Sequence, residues 1–178
     1  MKNLEHGHAH LDVKSVAEDG TFRGYASLFG VTDLGKDNVS KGAFTKSLAS
    51  RPASRVRMLR DHQPDQPIGV WTSIKEDATG LAVEGKLVLE TAKGAETHAL
   101  LRAGAIDGLS IGYRTKSARY DKSKGVRYLD EVEIHEISVT TFPMLPGATV
   151  HTVKSNSATQ FRELVAAINH ARDSLRKD

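Results

Sequence analysis

Short segments of alternating apolar and polar residues, separated by turn-forming residues, recur along most of this sequence. Residues 11–28 hold two such segments on either side of Asp19-Gly20, and the segments at 68–74 and 81–89 flank a turn-forming stretch at 77–80. A period of two residues is the pattern of a half-buried strand, and a short Asp- and Gly-containing connection is typical of a β-hairpin. Hairpins are therefore expected to form much of the fold.

Further strands and a few helices are predicted around these hairpins. Residues 30–42 are rich in Gly, Asp, Asn and Ser and predict a loop, which leads into a short helix at 43–48. The spacing of apolar residues predicts a central helix over residues 90–102, with Gly104 as its C-cap. Strands are predicted at 55–60, 109–115 and 126–142, and an amphipathic helix at 158–177.

Many strands and few substantial helices predict an α+β fold that is mainly β, a β-barrel or strongly bent sheet flanked by helices. A chain of 178 residues fits one domain. We expect the β-barrel domain to occupy residues 1–155. The C-terminal helix, within residues 156–178, either belongs to the same domain or makes a dimer contact, because its apolar face needs a partner.

Composition excludes several classes of protein. Hydrophobic residues make up 39% and charged residues 26% of the chain, as in an ordinary globular protein. No apolar run approaches the ~18–20 residues of a membrane helix, so no membrane partner is expected. Without cysteine, thiol catalysis is excluded, and Ser, Thr or water remain as nucleophiles. The net charge of +3 is modest and the basic residues are scattered, so a basic nucleic-acid-binding barrel is a weak alternative.

Ser110 is the first candidate for chemistry. It lies in the stretch AIDGLSIGY, residues 105–113, which predicts a strand with Ser110 and Gly112 on one face. A glycine beside the hydroxyl would let another backbone approach closely, as a peptide substrate lying across the strand requires. The alternative is that Ser110 is a small core residue beside a bulge glycine.

His62 is the second candidate, at the end of the strand predicted over residues 55–60. The stretch that follows this strand, DHQPDQP at residues 61–67, has two prolines that would stiffen its position. Imidazole is the side chain best suited to take a proton from a serine hydroxyl near neutral pH. A loop histidine is also commonly an ordinary solvated residue.

Glu136 is the third candidate. Alternation in the strand at 126–142 places Val132, Ile134 and Glu136 on one face and His135 on the other. A carboxylate among aliphatic residues needs a hydrogen-bond or ionic partner, which an imidazole would supply. If the alternation breaks near this point, Glu136 turns to solvent and His135 becomes the competing third member.

Other patterns give weaker signals. His6, His8 and His10 alternate like metal ligands on a strand, but no carboxylate or cysteine set completes a site, so a solvent-exposed terminus is favoured. The loop from Asp33 to Asn38 lacks the glutamate that a calcium loop requires. We expect no metal and no other cofactor.

Six segments in this order resemble a known family, the prohead maturation proteases of tailed phages, which are distantly related to the herpesvirus assemblins. Any one segment is a weak match, but all six in sequence are specific. They are FRGYASLFGVTD at residues 22–33, KGAFTKSL at 41–48, MLRDHQPDQPIGV at 58–70, GLAVEGKLVL at 80–89, LLRAGAIDGLSIGY at 100–113 and VEIHEISVTTFPMLPGATV at 132–150.

The resemblance implies an assemblin-like barrel and a serine endopeptidase. Carried over by position, it implies Ser110 as the nucleophile, His62 as the general base and Glu136 as the residue that orients the base. His135 is the reserve for the third role, because the herpesvirus relatives are similar in using a second histidine.

The resemblance also implies a biological setting. A protease of this family works inside the immature capsid, or prohead, in the host bacterial cytoplasm. It cleaves scaffold or the scaffolding segment of the major capsid protein, and often itself, and the assemblin relatives imply a homodimer. The alternative is a catalytically inactive scaffold or assembly factor that keeps the protease fold.

Overall fold

The computed structural model describes residues 16–142 in full and residues 5–10 as backbone. Its strands are β1 Glu5–His10, β2 Thr21–Leu28, β3 Asp37–Val39, β4 Arg57–Arg60, β5 Gln63–Glu76, β6 Gly80–Leu87, β7 Gly108–Asp121 and β8 Val126–Thr140. Its α-helices are α1 Thr45–Ser50 and α2 Ala92–Ala103, and a short 3-10 helix spans Ala53–Arg55.

All eight strands belong to one sheet. The order of hydrogen-bonded neighbours is β1-β7-β8-β4-β5-β6-β2, and β3 adds to β8. The sheet is antiparallel except where β3 and β4 pair with β8 in parallel. It curls so strongly that β1 and β2, at opposite ends of the order, lie close together. The bent, mainly β fold class expected from the sequence is confirmed.

Strand β8 organises the molecule because three other strands pair with it. Strand β7 pairs along the whole of one edge, whereas β3 and β4 share the other edge at residues 127–129 and 136–139. Between those two segments, residues in and just before α1 supply the hydrogen-bond acceptors for this edge of β8. The Val132 amide donates to the Ala43 carbonyl, and the Ile134 amide donates to Ser47 Oγ. The backbone donors of this stretch are thus satisfied without a strand.

The core fills the inside of the curled sheet. Phe22 of β2 packs edge-on against Trp71 of β5, with ring centroids 5.5 Å apart. Ile111 of β7 and Ile134 of β8 are fully buried in the same cluster. Because Met58 of β4 belongs to this cluster as well, the shared core fixes the relative positions of β4, β7 and β8.

Helix α2 shows the start and stop signals that its sequence predicts. The Thr91 side chain caps the N-terminus by accepting a hydrogen bond from the Gly94 amide at 3.0 Å. Gly104 ends the helix with a left-handed φ of 71°, and its amide donates to the Leu101 carbonyl. The prediction of a central helix with a glycine C-cap is confirmed.

Several predicted boundaries were wrong. The loop expected at 30–42 contains strand β3, the helix expected at 43–48 is α1 Thr45–Ser50, and the strand expected at 109–115 continues to Asp121. Residues 16–20 form no strand, and residues 11–15 lie outside the described residues. The histidine-rich terminus has its backbone in strand β1, and the exposure expected of its side chains lies outside what the structure describes.

The helix predicted at 158–177 lies outside the described residues, as does the boundary at residue 155. Within residues 5–10 and 16–142, no helix has the length and apolar character needed to cross a bilayer.

Candidate active site

Ser110 is the third residue of β7, where the strand lies between β8 and β1. Its Cα is opposite Ser138 of β8 and opposite His8 of β1. Residues 108–113 are all buried, and Ser110 itself has a relative exposure of 0%. The hydroxyl is therefore buried, on the strand predicted for it and on the face opposite to the core residues Leu109 and Ile111.

His62 lies in the connection between β4 and β5. Arg60 and Gln63 are paired across this hairpin, so Asp61 and His62 form a two-residue loop. Both loop residues have positive φ, 47° and 58°. A two-residue hairpin of type I′ requires this conformation, which is uncommon outside glycine and asparagine.

Hydrogen bonds to β8 hold this unusual turn in place. The Asp61 amide donates to the Val139 carbonyl at 3.0 Å, continuing the β4–β8 pairing beyond the end of β4. The Arg60 guanidinium reaches the same carbonyl at 3.1 Å and forms an ion pair with Asp61 at 2.6 Å. Because the turn is fastened to β8, it fixes the position of the His62 side chain.

The prediction for the turn that carries His62 was only partly right. A polar turn was expected over residues 61–67, stiffened by its two prolines. In the structure the turn has two residues, and Pro64 and Pro67 lie within β5. His62 is positioned by tight turn geometry and bonds to β8.

Glu136 is buried, with a relative exposure of 4%, on the face of the sheet that also carries Ser110 and lies opposite to the core-facing Ile137. The strict alternation predicted for β8 was wrong at this point, because the pairing register shifts between Ile134 and Glu136 and places these two side chains on opposite faces. Glu136 lies directly across from Gly112 of β7. A Cβ atom at residue 112 would lie 2.7 Å from Cδ and 2.8 Å from Cγ of Glu136. The bare position that we assigned to an approaching substrate backbone is therefore filled by this side chain.

The structure brings the three predicted residues into one continuous line of contacts. Ser110 Oγ lies 2.5 Å from His62 Nε2, and His62 Nδ1 lies 2.5 Å from Glu136 Oε1. An ionised carboxylate only accepts hydrogen bonds, so Nδ1 carries the proton of a neutral imidazole. Nε2 is then the acceptor for the Ser110 hydroxyl, which is the tautomer required of a general base.

A fourth side chain, Ser138, touches two members of this line. Its hydroxyl donates to Glu136 Oε2 at 2.8 Å and accepts the His62 backbone amide at 3.0 Å. Ser138 was not among the candidates from the sequence. Its position two residues after Glu136, and therefore on the same strand face, is the signal that would have found it.

His135 is the extra residue of β8 at this register shift, between Ile134 opposite Tyr113 and Glu136 opposite Gly112. Its Nε2 is 3.4 Å from Glu133 Oε1, and Glu133 also pairs with Arg51 and Lys116. Burial, and next the positive charge of Arg51, lower the pKa of His135 below its ordinary value. The structure thus places Glu136, and not His135, against His62.

The carboxylates of the loop from Asp33 to Asn38 make structural contacts. The Asp33 carboxylate accepts the Asp37 amide at 2.8 Å, so it shapes the loop before β3, and burial raises its pKa. Asp37 pairs with Arg127 and accepts the Tyr113 hydroxyl. Within the described part of the chain, no cluster of three or more His, Asp or Glu side chains could hold a metal ion.

A curled sheet that carries a hydroxyl, an imidazole and a carboxylate in line has the arrangement of a serine hydrolase. The model of one family, described as caudovirus prohead serine protease, matches residues 9–163. The chain belongs to this family, so it is a serine protease of the phage prohead, as its sequence motifs indicated.

Individual relatives agree with this assignment. The prohead protease of Enterobacteria phage HK97 is 31% identical over 157 residues, which are 87% of this chain and 69% of the relative. The prohead protease of Escherichia phage T5 is 24% identical over 177 residues, 93% of this chain and 83% of the relative. A capsid polyprotein of Pseudomonas phage PAJU2 is 32% identical over 107 residues, only 16% of its length.

The fold has a counterpart among solved structures. The bacteriophage T4 capsid assembly protease superposes with a TM-score of 0.62 at 15% sequence identity, covering 79% of this chain and 98% of the T4 chain. At this identity the likeness concerns the fold alone.

Proposed function

We propose that Ser110, His62 and Glu136 form the catalytic triad of this protease, as nucleophile, general base and orienting carboxylate. The observation that supports the proposal best is the unbroken line of contacts, with 2.5 Å from Ser110 Oγ to His62 Nε2 and 2.5 Å from His62 Nδ1 to Glu136 Oε1. These are the distances across which protons are transferred between a nucleophile and its base.

The reaction follows from this order of groups. His62 Nε2 takes the Ser110 proton as Oγ attacks the scissile carbonyl carbon, and the resulting imidazolium is stabilised by the Glu136 carboxylate. The imidazolium then gives its proton to the leaving amine, which breaks the peptide bond and leaves an acyl-enzyme. Water, deprotonated by the same imidazole, hydrolyses the acyl-enzyme and restores Ser110.

The names of the relatives point to the substrates. Two relatives are prohead proteases, and the matching part of a third belongs to a capsid polyprotein. By this analogy, the chain cleaves scaffold or the scaffolding segment of the major capsid protein, together with its own chain, inside the prohead in the host cytoplasm. The proposal includes a homodimer, which sedimentation of the full chain would test.

Substitution of the nucleophile tests the catalytic proposal. Ser110→Ala removes a hydroxyl from a buried position and leaves room for the smaller side chain, so the protein is expected to fold normally. Cleavage of a co-expressed capsid precursor should fall by on the order of 10³-fold or more, with loss of labelling by a fluorophosphonate probe. Ser117→Ala, at an exposed position of the same strand, is the matched control and should retain both activities.

Two results would contradict the proposal. Undiminished cleavage by Ser110→Ala would remove Ser110 from the mechanism. A wild-type chain that neither cleaves the precursor nor reacts with the probe would favour the alternative of an inactive assembly factor with the protease fold.

A further inference from the structure

Ser138 occupies a position from which a single hydroxyl contacts both the base and the carboxylate of the proposed triad. It lies on β8 with a relative exposure of 0%, opposite Ser110 of β7 and beside Leu59 of β4. Ser138 therefore lies between β7, which carries Ser110, and β4, which leads into the turn that carries His62.

The hydrogen bonds of Ser138 have defined directions. The Glu136 carboxylate can only accept, so the Ser138 O–H donates to Oε2 at 2.8 Å. A lone pair of the same oxygen accepts the His62 amide at 3.0 Å. One hydroxyl therefore orients the carboxylate oxygen that faces away from the imidazole and fixes the backbone of the residue that carries the imidazole.

These two hydrogen bonds restrain His62 and Glu136, the residues proposed to accept the Ser110 proton and to orient the base. The His62 backbone is in a left-handed conformation, with φ of 58°, and its amide is held by Ser138. Each oxygen of the Glu136 carboxylate has a hydrogen-bond partner, His62 at Oε1 and Ser138 at Oε2. Loss of the hydroxyl would remove one restraint from the carboxylate and one from the turn, and a displacement of ~1 Å at a reacting group can cost about 100-fold in rate.

We propose that Ser138 is a positioning residue for this protease, which aligns the His62 imidazole with Ser110 by holding the His62 amide and Glu136 Oε2 together. This inference rests on the proposed function of Ser110, His62 and Glu136. Ser138 does not contact the scissile bond in this account, and it acts through the two residues that it holds.

The test compares kcat and KM of Ser138→Ala, Ser138→Thr and wild type on a peptide containing the cleavage site. Ser138→Ala should lower kcat by about 10- to 100-fold with little change in KM, and Ser138→Thr, which keeps a hydroxyl, should recover much of the loss. The proton NMR signal of His62 Nδ1–H should shift in Ser138→Ala, because its carboxylate partner has lost an anchor.

A matched control separates positioning from simple loss of a buried hydrogen bond. Ser47 is also buried, and its Oγ likewise accepts a backbone amide of this region, that of Ile134. Ser47→Ala should lower stability to a similar extent and leave kcat near the wild-type value. If Ser138→Ala and Ser47→Ala affect kcat equally, the positioning role is refuted.

The outcomes distinguish the two proposals. Retained cleavage by Ser110→Ala refutes the proposed triad itself. Loss of cleavage by Ser110→Ala together with wild-type kcat in Ser138→Ala refutes only the role of Ser138. Should Ser138→Ala fail to fold, Ser138→Cys keeps the volume and weakens both hydrogen bonds, and wild-type kcat in that variant would refute the inference.

Discussion

Gly112 of β7 lies directly across from Glu136 of β8, and the Glu136 carboxylate occupies the space that a side chain at residue 112 would fill. The absence of a side chain on one strand thus makes room for a functional group on the next. This relationship makes position 112 a sensitive point for testing the proposed triad.

Gly112→Ala should impair the enzyme by displacing Glu136 from His62. The added methyl group meets the Glu136 side chain, and overpacking of this kind costs about 1–3 kcal/mol of unfolding free energy. We expect kcat to fall about 10- to 100-fold as the carboxylate moves. Kinetics on the cleavage-site peptide, together with urea unfolding, measure the two effects.

Gly85→Ala is the control for overpacking alone. A Cβ atom at residue 85 would lie 2.7 Å from Trp71 Cε3, within the core and outside the proposed triad. It should lower stability with little effect on kcat. An equal loss of kcat in both glycine variants would show that the effect of Gly112→Ala comes from general destabilisation.

Glu136→Gln should reduce kcat by on the order of 10³- to 10⁴-fold. An amide can present its NH₂ group to Nδ1 and so favour the tautomer that carries the proton on Nε2, where it cannot accept the Ser110 proton. His135→Gln should leave kcat nearly unchanged, since His135 faces Glu133. The opposite ranking of the two variants would transfer the third role to His135.

His135 should make the protein less stable in mild acid. Burial, followed by the charge of Arg51, lowers the pKa of His135 in the folded state below the ordinary value of 6.5. The unfolded chain therefore binds this proton at a higher pH than the folded chain, so the free energy of unfolding falls as the pH drops below 6.5. The effect reaches its limit once the pH is below the lowered pKa.

Urea unfolding of wild type and His135→Gln, at several values between about pH 8 and about pH 5, isolates this contribution from that of the other histidines. The variant should lose less stability on acidification. Parallel pH dependences in the two proteins would show that the pKa of His135 is the same in the folded and unfolded states.

Ser47→Ala should destabilise the fold by about 1–3 kcal/mol, because it leaves the buried Ile134 amide without its acceptor at a part of the β8 edge where no strand pairs. Thermal or urea unfolding measures the change. Ser117→Ala, on an exposed surface, should be nearly neutral. A Ser47 variant as stable as wild type would indicate that another acceptor replaces Oγ.

Local signals in the sequence predicted the elements that local chemistry determines. The turn at 77–80 and helix α2 with its Gly104 cap follow from residues within a few positions of each other. Alternation along β8 placed Glu136 on the same face as Ile134, which was wrong because the extra residue His135 puts the two side chains on opposite faces. Strand β3 was missed because its three residues sit among turn-forming residues and become a strand only by pairing with β8.

The assembly of the site could not be read from these local patterns. Ser110 and His62 meet because β7 and β4 lie on opposite sides of β8, and this strand order is a property of the whole sheet. Resemblance to a family selected the three residues, but it carried no information on Ser138 or on the role of Gly112. The structure reveals Ser138 through its hydrogen bonds to Glu136 and His62, and Gly112 through its position across from Glu136.

Strand β1 has a consequence for how a substrate reaches Ser110. It runs antiparallel to β7 with His8 level with Ser110, on the edge of β7 that β8 leaves open. Peptides that bind by lengthening a sheet need such an edge unpaired. While the chain's own residues 5–10 remain there, an extended polypeptide cannot dock as the next strand beside the hydroxyl, and it must either displace them or enter across the sheet face.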